Sequence, residues 1–208
     1  MATRRDVESD FLMIRSLKDR LRPHWHALKR FVNPPRRWPS ETSKCRARLA
    51  SYCTGDGVDL GFGGDPITPA AIRMDLPNQY GAVGDYPPQL RGDASNLRWF
   101  RDDALDFVFS SHVLEDFHDT EGVLREWLRV IRPGGRLVIF CPDEARFRAH
   151  CARTGQPYNE HHVHAHFSLG FVKGLLEQIG GCRVIHENPD VDLYSWDLVV
   201  EKLSARAP

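Results

Sequence analysis

The stretch GVDLGFGGDP, from Gly57 to Pro66, constrains the fold of this chain more than any other segment. Its first half is typical of a short buried strand that carries the acidic residue Asp59. Its second half is a turn that contains Gly61, Gly63 and Gly64. Because glycine reaches backbone conformations closed to other residues, the chain can leave the strand sharply and still leave room for a ligand. We therefore expect this turn to form the floor of a pocket.

A second predicted strand follows closely, from Ala70 to Pro77, and it carries Asp75 near its end. A carboxylate at a strand tip beside a glycine-rich turn can accept both hydrogen bonds from a ribose diol. The segment between the two strands, Asp65–Pro69, contains two prolines and no helical pattern. A parallel pair normally needs a crossover of about a dozen residues or more. We therefore expect the first crossover helix to be shortened or absent.

Strand and helix patterns alternate along the rest of the chain, which favours an α/β fold with a mainly parallel sheet. The strongest strand pattern is the apolar run Phe107–Phe109, which is typical of a strand covered on both faces. The other predicted strands lie at Gln89–Leu97, Arg136–Asp143, Cys182–His186 and Trp196–Val200. One predicted helix begins at Asp119 or Thr120 and ends at Pro133-Gly134-Gly135. A second predicted helix spans Glu144 to Arg153. A third follows the cap Ser168 and ends at Ile179.

The first 50 residues form a basic segment, with 13 Lys and Arg against 5 Asp and Glu, whereas the remainder has 15 against 23. Apolar residues from Val7 to Val32 follow the period of one helical face, which Pro23 interrupts. We expect an N-terminal helical arm with a Pro-rich linker over residues 1–45 and the globular domain over 46–208. The arm could be a lid, a partner-binding segment, a helix on an anionic membrane surface, or a helix packed against the domain.

The cysteines and the apolar segments of the sequence indicate the cellular compartment. Five scattered cysteines form no CxxC pair, so we expect reduced thiols. The first ten residues lack the apolar run of a signal peptide, and no stretch reaches the roughly 18 uncharged residues of a membrane helix. We expect a cytoplasmic protein without a transmembrane segment.

An ordered set of motifs resembles the class I S-adenosylmethionine-dependent methyltransferases, in particular the small type-11-like enzymes. The resemblance covers roughly residues 55 to 203. The motifs are DLGFGG at Asp59–Gly64, Asp75 at the end of the next strand, GDAS at Gly92–Ser95, DDALDFVFSSHVLEDF at Asp102–Phe117 and EWLRVIRPGGRLVIFCPD at Glu126–Asp143.

The resemblance implies a Rossmann-like, seven-stranded sheet in which the last strand runs antiparallel between the fifth and sixth. It also implies S-adenosyl-L-methionine as the cofactor. Gly61 and Gly63 would pass close to its methionine part, and Asp75 would bind the ribose hydroxyls. The complete set of cofactor-binding residues that we expect is Asp59, Gly61, Gly63, Asp75, Asp93, Ala94, Ser111 and His112, of which Asp93 and Ala94 would meet the adenine.

Three residues depart from the family pattern. Phe62 stands where the family often has a small residue or cysteine, and Asp65 follows the glycines directly. Asp116 occupies the last position of the motif SSHVLEH, where the family usually has histidine.

Methyl transfer to oxygen requires an aligned nucleophile and, for a hydroxyl group, a base that removes its proton. Histidine suits this task because its pKa lies near neutral pH. The candidates are His112, just past the fourth strand, and the cluster that contains His162 and His164. In an extended chain this cluster could also bind zinc or nickel, line a substrate pocket, or form an ordinary loop. We predict no metal site, because no further ligand is evident.

We expect methyl transfer to a small molecule or a glycan, to oxygen rather than nitrogen. Nucleic acid is disfavoured because the predicted catalytic domain is acidic. One alternative is a catalytically degenerate module that binds a partner through its arm. The departures from the family motif at Phe62 and Asp116 are the reason for this alternative. Another is a dinucleotide-binding oxidoreductase, which would require a full helix after the glycine turn, where Pro66 and Pro69 stand instead.

Overall fold

A computed structural model describes residues 39–77 and 84–204. Seven strands form one sheet in the order β3-β2-β1-β4-β5-β7-β6. The first five strands are parallel neighbours, whereas β7 runs antiparallel to both β5 and β6. The strand bounds are β1 Gly57–Leu60, β2 Ile72–Asp75, β3 Leu90–Arg91, β4 Leu105–Ser111, β5 Ile131–Pro142, β6 Cys182–Val191 and β7 Ser195–Lys202. The expected seven-stranded sheet, with the last strand reversed between the fifth and sixth, is confirmed.

Four α-helices are described, and a side-chain oxygen caps the first turn of each. Ser168 caps α4 by accepting a hydrogen bond from the backbone N–H of Phe171. Gly180, in a positive-φ conformation, follows the helix and ends it. The helix bounds are α1 Glu41–Leu49, α2 Thr120–Val130, α3 Glu144–Thr154 and α4 Leu169–Ile179.

Alternate residues of β4 face two separate cores. Val108 packs in a cluster that also contains Trp127 of α2 and Val172 of α4. Phe107 and Phe109 point the other way, into a cluster that contains Cys45 and Leu49 of α1. Helices therefore cover both faces of the sheet, as the continuous apolar run of β4 predicts.

The first crossover contains no helix, as expected. Residues 61–71, which are all described, form turns and bends between β1 and β2. Ile67 and Ala71 from this segment are almost fully buried in the same core as α1. The loop of the first crossover and helix α1 therefore pack together on the same face of the sheet.

The strand limits differ from the prediction at three places. β5 begins at Ile131, because Pro133-Gly134-Gly135 lies within a register shift against β4 instead of separating helix from strand. Such irregularities tolerate a proline because it has no N–H to donate to the ladder. β3 shrinks to Leu90–Arg91, since the backbone folds into turns from Gly92 onwards. β6 extends to Val191, beyond the predicted His186.

The domain boundary that we predicted at residue 45 falls within helix α1. The division of the chain into an arm and a globular domain stays a prediction. The helical arm that we expect from Val7 to Val32 lies outside the described residues. Among the described residues, no helix combines the length and the apolar character needed to cross a bilayer.

Candidate active site

A cavity of about 610 Å³ opens where β1, β2 and β4 end. The carboxyl ends of parallel strands are the usual place for a ligand in an open α/β sheet. The walls come from the glycine turn, the loops after β2, β3 and β4, the start of α1, and the loop 159–163. Seven of the residues expected to bind the cofactor line it, namely Gly61, Gly63, Asp75, Asp93, Ala94, Ser111 and His112.

The glycine turn supports the floor of this cavity. Gly61 has φ +64°, and a Cβ at this position would lie 2.3 Å from Cγ2 of Val113, so a side chain has no room. The backbone N–H of Gly63 donates to Oδ2 of Asp75 at 3.1 Å. Oδ1 of Asp75 accepts from the backbone N–H of Leu76 at 2.8 Å. These bonds fix the Asp75 carboxylate at the tip of β2.

The turn after β3 places Asp93 and Ala94 in the cavity wall. Oδ1 of Asp93 accepts from the backbone N–H of Ser95 at 2.8 Å, which orients the side chain within the turn. The carbonyl of Ala94 accepts a hydrogen bond from Nε1 of Trp127 at 2.8 Å. Since Trp127 is fully buried, the core of the domain holds this wall in place.

Ser111 and His112 follow β4 directly. The hydroxyl of Ser111 is buried, and it has no hydrogen-bond partner among the described residues. A buried polar atom of this kind in a cavity wall is suited to a ligand. His112 has φ +54°, which is uncommon outside glycine and sharply turns the chain after the strand.

His112 is neutral in this environment. Burial lowers the pKa of its imidazole to about 4, although the nearby carboxylate of Glu41 acts in the opposite direction. Nε2 of His112 lies 3.3 Å from Oγ of Ser195 and 3.4 Å from Oε2 of Glu41. An imidazole with such a low pKa is a weak base at neutral pH. This argues against His112 as the base that removes the proton of the acceptor hydroxyl.

Asp59 does not line the cavity. It is fully buried in β1, and its Oδ2 accepts from the backbone N–H of Ile67 at 2.7 Å. Burial raises the pKa of its carboxyl group well above the usual range. Its contacts join β1 to the loop that replaces the first crossover helix. We therefore assign Asp59 to the support of the turn rather than to direct contact with a cofactor.

The histidine cluster is divided between two environments. His162 is buried and lines the cavity, and its Nδ1 lies 2.9 Å from Oε2 of Glu144. His164 is outside the cavity lining, and its Nε2 lies 2.9 Å from Oγ1 of Thr120 and 2.8 Å from the carbonyl of Phe117. These contacts give His164 a structural position. No group of three or more metal-ligating side chains is close enough to hold an ion in the described ranges.

The start of α1 was missing from the predicted site. Ser40, Glu41 and Thr42 line the cavity, although this segment is predicted as linker. Nη2 of Arg46 pairs with Oδ1 of Asp65 at 2.5 Å, and the hydroxyl of Ser40 donates to the same carboxylate. The departure of Asp65 from the family pattern therefore has a structural role, because it ties α1 to the glycine turn. A serine followed by glutamate is a helix-start signal that could have located α1.

We expect Ser40→Ala to lower the free energy of unfolding by about 1 kcal/mol. The substitution removes the cap that accepts from the backbone N–H of Ser43 at 2.9 Å, and it removes the bond to Asp65. Urea unfolding measures the loss. Ser43→Ala is the matched control, since the Ser43 hydroxyl donates only to the exposed Ser40 carbonyl. Equal stability of both variants would show that the Ser40 cap does not stabilise α1.

Glu115 and Glu144 were also missing from the predicted site. Both are fully buried beside the cavity histidines. Glu115 belongs to the motif SSHVLEDF, so its place was known, but the sequence does not show that it points toward His162. Glu144 begins α3 directly after β5, at the carboxyl edge of the sheet, and this position was the available signal.

Part of the chain is similar in sequence to known methyltransferases. Residues 67–139 match a family model described as a methyltransferase domain. The chain is 50% identical over 52 residues to a demethylmenaquinone methyltransferase of Mycolicibacterium paratuberculosis and 46% identical over 52 residues to one of Streptomyces avermitilis. The matched stretch is 25% of this chain and 22% of each relative, so it spans about a fifth of their length.

Solved structures share the fold at low identity. A chain from the complex between the Haloferax volcanii Trm112 methyltransferase activator and its candidate methyltransferase has a TM-score of 0.59 at 18% identity, covering 92% of this chain and 99% of that one. A Thermotoga maritima S-adenosylmethionine-dependent methyltransferase has a TM-score of 0.57 at 18% identity, covering 86% and 100%. The family match is confined to residues 67–139, and the chain shares the fold of these solved methyltransferases, with seven strands in the order β3-β2-β1-β4-β5-β7-β6.

Proposed function

We propose that this protein transfers a methyl group from S-adenosyl-L-methionine to a hydroxyl oxygen of a small molecule or a glycan. The observation that carries the proposal is the cavity at the strand tips, where a fixed carboxylate, a glycine turn and a buried histidine face one space. Its volume of about 610 Å³ falls within the roughly 300–1,000 Å³ of ordinary small-molecule sites.

The described residues suit the cofactor at several points. Asp75 presents a fixed carboxylate for the ribose hydroxyls, and Asp93 with Ala94 forms a wall for the adenine. Ser111 offers a buried hydroxyl that lacks a hydrogen-bond partner among the described residues. Gly61 keeps the turn free of side chain where the methionine part would pass. When bound, S-adenosylmethionine supplies an electrophilic methyl group on a sulfonium.

His162 is the base that the geometry favours. The contact between its Nδ1 and Oε2 of Glu144, at 2.9 Å, places the imidazole proton on Nδ1 and leaves Nε2 able to accept. Arg148 and Tyr158 also contact Glu144, so this carboxylate is held in place from behind. His162 would accept the proton of the acceptor hydroxyl at Nε2 as the oxygen bonds to the methyl carbon.

The acceptor side of the cavity combines aromatic and polar groups. The rings of Phe147 and Tyr194 lie 5.0 Å apart in an edge-to-face arrangement beside Asn159. Of the lining residues that the structure describes, five carry carboxylates and none is lysine or arginine. This composition suits an uncharged hydroxyl compound and disfavours a phosphate-rich acceptor such as nucleic acid.

We also propose a cytoplasmic location for the protein. The five cysteines are all free, and four of them are buried, which fits a reducing compartment such as the cytoplasm. Contact of the basic N-terminal segment with an anionic membrane surface stays a prediction.

Calorimetry with S-adenosylmethionine and S-adenosylhomocysteine tests the function. We expect saturable, single-site binding of both to the full chain, and no binding of NAD. A chain that takes up neither at millimolar concentration would favour the degenerate module, an alternative that Phe62 and Asp116 keep open because both line the cavity. Binding of NAD instead would favour the oxidoreductase.

A further inference from the structure

Asp116 places a carboxylate in the cavity wall where the methyltransferases that the chain resembles usually have histidine. The residue is half-buried and ends a short 3₁₀ turn, in which its backbone N–H donates to the carbonyl of Val113 at 3.2 Å. The carbonyl of the preceding residue, Glu115, accepts from the backbone N–H of Val163 at 3.3 Å. Asp116 is therefore held where the turn after β4 meets the loop that carries His162.

The wall of the cavity is negatively charged as a whole. Of the lining residues within the described ranges, five carry carboxylates and none is lysine or arginine. His112 adds no positive charge, because burial lowers the pKa of its imidazole to about 4. Charges interact more strongly in a cavity surrounded by protein than in open water. A ligand that carries a positive charge therefore gains more from this wall than a neutral ligand of the same shape.

Asp116 differs from the other four carboxylates of the described wall. Both oxygens of Glu41 contact Nζ of Lys44, at 2.6 and 2.7 Å, which offsets the charge of Glu41. Glu160 is exposed, so water and salt screen its charge. Two further carboxylates belong to the ribose and adenine ends of the proposed cofactor site. Asp116 is the remaining one, and it lies where the proposed cofactor side meets the acceptor side.

We propose that Asp116 makes the site distinguish S-adenosylmethionine, which carries a sulfonium charge, from the neutral product S-adenosylhomocysteine. The inference rests on the proposed function and on the cofactor placement that it implies. The sulfonium joins the methionine part, for which we propose the glycine turn, to the ribose, for which we propose Asp75. The transferable methyl group faces the acceptor side, where His162 lies, and Asp116 borders that side.

Methyl transfer removes the charge that Asp116 attracts. The S–C bond breaks and its electron pair stays on sulfur, while a C–O bond forms and the acceptor proton goes to Nε2 of His162. The positive charge thereby moves from sulfur to an imidazole that Glu144 supports from its other side. Asp116 then faces a neutral thioether, so the attraction that held the cofactor is lost. The product consequently binds less tightly than the cofactor.

Calorimetry with both ligands on the full chain tests the role of Asp116 without an acceptor. The two ligands share their adenosine and amino-acid groups, so the ratio of their affinities reports only the methyl group and the charge. We expect the unaltered protein to bind S-adenosylmethionine at least about fivefold more tightly than S-adenosylhomocysteine. In Asp116→Asn, which keeps the size of the side chain, we expect the affinity for S-adenosylmethionine to fall about fivefold and that for S-adenosylhomocysteine less than about twofold.

Two further variants complete the test. Glu121→Gln removes an equal charge from the surface of α2, where Glu121 pairs with Arg125, and it should leave both affinities unchanged. Asp116→His introduces the residue that the resembled family usually has, and it should lower the affinity ratio as Asp116→Asn does. An unchanged ratio in both Asp116 variants would overturn the proposal, because the preference would then come from packing of the methyl group.

The unaltered protein also decides the question by itself. Equal affinities for the two ligands would overturn the proposal. If neither Asp116 variant folds, the salt dependence of the ratio replaces them: we expect it to fall as the ionic strength rises from about 0.05 to about 0.5 M, and a constant ratio would count against Asp116. A chain that binds both ligands without this preference would refute only the role of Asp116, whereas a chain that binds neither would refute the proposed function.

Discussion

Replacing Trp127 by alanine is expected to lower the free energy of unfolding by about 3–5 kcal/mol. The indole is fully buried among residues of β1, β4 and α4, and its Nε1 donates to the carbonyl of Ala94 at 2.8 Å. The substitution therefore leaves a large cavity in the core and an unpaired carbonyl in the wall of the site. Urea unfolding, followed by circular dichroism, measures the loss.

Two control variants separate packing from hydrogen bonding. Trp127→Phe keeps most of the ring but removes the donor to Ala94, so we expect a loss of only about 1–2 kcal/mol in stability and weaker cofactor binding. Trp99→Ala removes a tryptophan that is 46% exposed, and it should cost much less than Trp127→Ala. Similar losses for the two alanine variants would contradict the role of Trp127 as the centre of this core.

The sheet was predictable because its signals are local. The apolar run of β4, the glycine turn after β1, and the serine cap of α4 each specify a structure within a few residues. The two prolines after the turn likewise predicted the missing crossover helix. The order of the strands and the reversal of β7 came instead from the resemblance, since strand order depends on long-range pairing that no local pattern encodes.

The start of α1 shows why part of the site escaped prediction. Pro39 and the other prolines upstream favour a linker, and only the cap at Ser40 marks the helix. The helix packs because Cys45 and Leu49 fill the face that the missing crossover helix leaves uncovered. That contact joins elements far apart in sequence, so its consequence, Glu41 beside His112, follows only from the folded chain.

The buried acids escaped for a related reason. Glu115 and Glu144 are charged residue types, and charged residues are rarely buried unless they are paired. Their partners, His112 and His162, come from different loops that meet only at the carboxyl edge of the sheet. The histidines are recognisable as candidates from the sequence, but the sequence does not show which nitrogen faces which acid.

Asp75→Ala is expected to weaken the binding of S-adenosylhomocysteine by about 1–3 kcal/mol, or roughly 5- to 150-fold in the dissociation constant. The reason is the loss of charge-assisted hydrogen bonds to the ribose hydroxyls. The same substitution also removes the acceptor for the backbone N–H groups of Gly63 and Leu76. Calorimetry on the full chain measures the affinity.

Asp75→Asn distinguishes these two contributions, because the amide retains one oxygen for the turn but cannot accept both hydrogen bonds of a diol. We expect it to bind nearly as weakly as Asp75→Ala while unfolding at nearly the same urea concentration as the unaltered protein. Asp102→Ala is the control for lost charge alone, since Asp102 pairs with Arg129 on the surface. Affinities of both Asp75 variants equal to that of Asp102→Ala would mean that the ribose binds elsewhere, and the assignment of the strand tips as the cofactor site would fail with it.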